Sequence, residues 1–100
     1  RGADLIDSTP NHLLLHQALN FSSPIYAHIP LAYNILENKL SKFTKASPIQ
    51  ILNAPQQIFD ALKFLGQQEI AIDSPTKMLS QAVNQWDVSR VPRTSDTHWD

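Results

Sequence analysis

Cysteine is absent from this 100-residue chain, which removes disulfides, thiolate nucleophiles and cysteine metal sites together. A cysteine-free chain is compatible with a reducing compartment such as the cytoplasm, and fixes no address. Glycine occurs only as Gly2 and Gly66, so neither a glycine-rich phosphate loop nor a G-x-S-x-G nucleophile elbow can be built. Eight basic and nine acidic residues leave a formal charge of -1, which argues against strong electrostatic attachment to nucleic acid or a membrane surface. Long apolar runs are missing too. No uninterrupted one exceeds three residues, Leu13-Leu14-Leu15 among them, far short of a membrane span or a signal-peptide core.

What is present is helix-forming. The apolar share is 42%, ordinary for a globular domain, and the length suits one domain. The densest information lies between Ser47 and Asp73. There Ile58, Phe59, Leu62 and Leu65 share one helical face, Pro55 suits the first turn, and Gly66 stands where a left-handed residue ends a helix. Ile49 to Ile51 and Glu69 to Asp73 alternate with period two. Two readings stand at this point: a strand–helix–strand unit, or one kinked helix from Pro48 to Leu65 followed by an extended linker.

Ser/Thr-Pro pairs occur at residues 9, 23, 47 and 74. Each reads as a hydroxyl cap with proline in the first helical turn, in preference to a phosphorylation site. Segments 23–43 and 47–66 share a loose plan, read as coincidence more than as a repeat. The pattern predicts a mainly α fold: a small single domain of four short amphipathic helices at about residues 10–20, 30–45, 55–65 and 75–86, with a short strand pair flanking the third. In the second helix Tyr33, Leu36, Leu40 and Phe43 make the stripe; in the fourth Leu79, Ala82, Val83 and Trp86 do. Residues 1–86 are read as the helical domain and 87–100 as a polar C-terminal arm.

The chemistry-bearing constellations are sparse. His12 and His16 are spaced i, i+4, as in a two-histidine metal site. The further ligands (Asp4, Asp7 or His28) are unfixed, and Leu13-Leu14-Leu15 between them supplies no base, so both are read as helix histidines. The carboxylate pairs Asp4/Asp7 and Glu69/Asp73 have structural explanations. Lys39, Lys42, Lys45, Lys63, Lys77, Arg90 and Arg93 are read as solvated, without the clustered base-reading side chains of a recognition helix. No catalytic residue, cofactor or metal is assigned.

What remains is surface. Tyr26, Tyr33, Phe64 and Trp99 (with Phe21) exceed what the four stripes need, and aromatic residues outside a small core are enriched at interfaces. The reading is therefore a non-catalytic protein–protein interaction or assembly module, not an enzyme. It would be a soluble helical piece of a larger protein that binds another protein or itself, with nucleic acid a weaker partner and no membrane span. Two alternatives are kept: a helix-turn-helix-like nucleic-acid binder, and an accessory or regulatory part of a larger enzyme.

Overall fold

A computed structural model describes residues 1–34, 39–41, 45–94 and 96–99, with residues 96–98 described by backbone only. The fold is mainly helical. A 3-10 turn at Ala3–Leu5 leads into α1 (Thr9–Ala18). Then come a short strand β1 (Leu31–Tyr33), a 3-10 turn at Ile51–Asn53, α2 (Ala54–Phe64) and α3 (Pro75–Asn84). A last 3-10 turn at Val88–Arg90 precedes a second strand, β2 (Asp96–His98). Among the described residues no helix is long and apolar enough to cross a membrane.

Local sequence accounts for the helix ends. α1 starts with Thr9 and carries Pro10 inside its first turn, where a missing N–H leaves nothing unpaired. Asn20 ends it with a positive φ of 54°, a conformation asparagine tolerates better than most residues. α2 closes in a Schellman motif. Gly66 N donates to Lys63 O and Gln67 N to Leu62 O, both at 2.9 Å, and Gly66 takes φ 68° as the motif requires. α3 opens at Ser74-Pro75 as expected, but the serine hydroxyl does not cap. Instead Asp73 Oδ1 accepts from Ser74 N (2.6 Å) and Oδ2 pairs with Lys77 (3.5 Å). The Ser23-Pro24 and Ser47-Pro48 pairs open no helix; both lie in irregular chain.

The helix expected over residues 30–45 is corrected. Residues 31–33 form β1, and Tyr33 makes an antiparallel bridge with Lys39; residues 35–38 and 42–44, with Leu36 and Phe43, lie outside the described residues. The local 3.6-residue pattern loses here to backbone partners distant in sequence. Ile29 N donates to Arg1 O and Ile29 O accepts from Ala3 N, both at 2.9 Å. β1 and β2 pair in parallel with Leu31 opposite Asp96 and Tyr33 opposite His98. The strand pair foreseen around α2 is not where strands form. The Ile51–Asn53 turn runs into α2, and residues 67–74 are irregular, which is closer to the single-helix reading.

The buried core sits where α2 meets α3. Met78 is fully buried and Ile70 nearly so. Gln67 is buried beside them with its amide used: it donates to Leu65 O (2.9 Å) and Asp87 O (3.1 Å), and its carbonyl accepts from Asp87 N (2.9 Å). Arg90 Nε donates to Gly66 O at 2.8 Å, and the Phe64 and Trp99 rings pack with centroids 5.4 Å apart. The stretch beyond Asp87 is thereby tied to the end of α2. α3 carries the fully buried Met78 and leaves Leu79 and Val83 exposed, as is Trp86 just beyond its end, so most of the stripe expected to build the core faces outward.

Candidate functional site

The densest polar cluster gathers around Arg1. The 3-10 turn folds the first residues back against residues 27–29, and the main-chain nitrogen of Arg1 donates to Ala27 O (3.0 Å). Its guanidinium donates through Nε to His28 Nε2 (2.9 Å), through Nη1 to His12 Nδ1 (2.6 Å), and through Nη2 to Thr9 Oγ1 and Leu5 O. It also lies over the Tyr26 ring, 4.2 Å from the centroid, a favourable cation–π geometry. Arginine has only donors, so each histidine nitrogen facing it is an acceptor. Burial, then the charges of Arg1 and the main-chain amine, lower the His28 pKa below its ordinary 6.5. His28 stacks beside Tyr26, with ring centroids 6.3 Å apart.

Next to this cluster opens a cavity of about 360 Å³. Leu15, Leu19 and Phe21 form its apolar side, and His16 and Tyr26 its polar side. His16 Nδ1 and the Tyr26 hydroxyl are buried and have no hydrogen-bond partner. Orphaned buried polar atoms are uncommon because each forfeits a hydrogen bond to water. The same helix borders a second, shallower depression through Leu13 and Leu14.

A second feature lies at the other end of the 3-10 turn. Asp4 Oδ2 accepts from Lys39 Nζ at 2.6 Å, and this hydrogen bond, with the lysine's charge, lowers the Asp4 pKa below its ordinary 3.8. Lys45 is exposed and holds a positive φ of 55°.

The four aromatic residues singled out from sequence occupy three places. Tyr26 is under Arg1. Tyr33 is in β1, its carbonyl accepting from Trp99 N at 2.8 Å. Phe64 and Trp99 are on each other. All four are half-buried. His12 and His16 share α1 and both line the cavity, but only His12 is bonded to the guanidinium. Among the described residues no three His, Asp or Glu side chains converge as a metal site would need. Arg1 and Gln67 were not singled out from sequence. Nothing in composition or periodicity marks a lone arginine in the first position, or a glutamine after a helix stop, as a hub.

No family model matches the chain. Among curated proteins it is 39% identical over 92 residues to the glutamyl-Q tRNA(Asp) synthetase of Acinetobacter baylyi, a match spanning 92% of this chain and 32% of that protein. The Photorhabdus laumondii protein of the same name is 38% identical across the whole of this chain and 33% of its own length. That of Pseudomonas aeruginosa is 40% identical over 96 residues, covering 93% and 33%. The chain thus spans about a third of the length of the curated relatives it matches. These matches overturn two expectations from the sequence: that the chain is a non-catalytic interaction or assembly module, and that it is not an enzyme. Its relatives are synthetases.

Proposed function

We propose that this chain is one structural portion of a tRNA-acting synthetase resembling the glutamyl-Q tRNA(Asp) synthetases, contributing to the joining of a glutamyl group to tRNA by the complete polypeptide. The observation that carries this reading is identity of 38–40% maintained over nearly all of the chain. Of the readings the sequence left open, part of a larger enzyme is the one these relatives support.

Physical features agree with a role inside a larger body. A protein of 11.3 kDa folded as a compact monomer exposes roughly 5,700 Å², whereas this chain exposes 7896 Å². Its radius of gyration is 16.1 Å, against roughly 13 Å for a compact domain of this length. A two-stranded parallel pair is marginal by itself, since parallel sheets occur with both faces covered. The chain contributes shape and a few cations, and is not the whole site.

RNA engagement by this portion would be local, because its net charge is -1. Lys45 and Lys39, the latter paired with the exposed Asp4, are exposed, and they are the cations we assign to the phosphate backbone. Expressing the parent polypeptide and measuring transfer of labelled glutamate to tRNA tests the assignment. Label in tRNA(Asp) supports it. Absence of both glutamate transfer and salt-dependent tRNA binding would refute it. Lys39→Glu with Lys45→Glu should weaken tRNA binding and flatten its salt dependence by about one unit of slope for each phosphate left without its cation.

A further inference from the structure

α1 is apolar on more than one side. Leu13, Leu14 and Leu15 follow one another, so their side chains point in three directions around the helix, and Leu19 extends the Leu15 side. An apolar face this wide calls for cover. Yet Leu14, Leu15, Leu19 and the neighbouring Phe21 are each more than half exposed, and the helix-on-helix packing in the fold is that of α2 with α3. Between α1 and Tyr26 lies the 360 Å³ cavity, with His16 and Tyr26 among its lining residues, each carrying a buried polar atom that has no partner.

We infer that this face of α1, together with the cavity, is a socket filled in cis by the remainder of the parent polypeptide. The filling segment is apolar and brings hydrogen-bonding main-chain or hydroxyl groups to His16 and Tyr26. The inference rests on the synthetase-like reading for the existence of that remainder: the relatives are about three times as long as this chain. The whole chain exposes roughly 2,200 Å² more than a compact monomer of its mass, and the leucines of α1 are part of that excess. A second copy of the chain is the weaker occupant, because a two-fold contact presents one patch to itself and leaves the Leu13–Leu14 side of α1 wet.

Carbene footprinting of the complete parent polypeptide, read by mass spectrometry, tests this directly. Labelling of Leu15, Leu19 and Phe21 should fall to background, and should stay there on dilution through the range in which the protein sediments as a monomer. Full labelling at these residues overturns the proposal. So does protection that disappears on dilution, which identifies a second copy as the cover. A second variant reads the polar half of the socket. Tyr26→Phe in the parent polypeptide should lower its midpoint of denaturation if the hydroxyl has gained a partner. An unchanged or raised midpoint means the hydroxyl is still orphaned, and contradicts the socket. Neither readout depends on glutamate transfer, so an inactive protein with a protected α1 would sink the functional reading alone, and an active one with a labelled α1 the socket alone.

Discussion

Gly66→Ala is the sharpest single test of how the end of the chain is held. Gly66 sits at φ 68°, and an L-residue forced into that region costs roughly 1–2 kcal/mol. Space is the larger obstacle. A Cβ built on Gly66 would meet the Arg90 carbonyl oxygen at 2.3 Å, whereas carbon and oxygen approach no closer than roughly 3.3 Å even in weak C–H···O contacts. The Val88–Arg90 turn would therefore have to retreat by about 1 Å. That movement strains the Arg90 Nε to Gly66 O bond and the two-way exchange between Gln67 and Asp87, each contributing about 1 kcal/mol net. Together the substitution should destabilise by about 2–4 kcal/mol, a large part of a small domain's stability. Urea unfolding, followed by circular dichroism with an unchanged m-value, measures it. Gly2→Ala is the control, because a Cβ there meets the far ends of the Asp4 and Leu31 side chains, which can rotate away. A loss under about 1 kcal/mol at Gly66, or an equal loss at both glycines, would refute the argument from backbone crowding.

Three further outcomes follow from the same contacts. Met78→Ala should cost about 2–5 kcal/mol by opening a void under α3, seen as a lower urea midpoint, while Val83→Ala on the exposed face should change the midpoint of this chain little. Gln67→Leu should remove both bonds to Asp87 and leave its amide unpaired, destabilising by about 1–3 kcal/mol; hydrogen exchange at Asp87 N–H should accelerate before that of α2. Acid should destabilise the N-terminal segment in two steps. His28 has a lowered folded pKa, so the unfolded state takes up the proton first, and stability held above the ordinary value of 6.5 declines as pH falls below it. Asp4, also lowered, holds its contribution above 3.8 and gives it up as pH falls further. His28→Gln should erase the first step and Lys39→Gln the second in stability measured against pH.

The residues that made the helices legible act through their neighbours in sequence. Pro10, Pro55 and Pro75 fix the first turns, Asn20 and Gly66 supply the left-handed stops, and Ile58, Phe59 and Leu62 declare a face. Those signals placed α1, α2 and α3 and made a mainly helical fold readable. β1 was not readable because its stabilisation comes from Arg1, Ala3 and residues 96–99, whose pairing leaves no trace in the 3–4 spacing of Tyr33 and Leu40. The site was less legible still. Arg1 gains its place from five acceptors and a ring brought together by the fold, and a sequence offers only one arginine. The stripe on α3 is legible as apolar but not as outward-facing: periodicity reports that a face wants covering, not which polypeptide covers it.

The ladder between β1 and β2 joins positions roughly 65 apart in the chain, and closing so long a loop is an entropic hurdle that short-range contacts do not meet. The α2–α3 corner, whose partners lie within a few turns of one another, should therefore assemble ahead of it. During synthesis β1 leaves the ribosome long before β2 exists. Until then, the edge of β1 that β2 later takes stands open, and the order in which the polypeptide emerges decides how long a folding intermediate is vulnerable to pairing with the wrong strand.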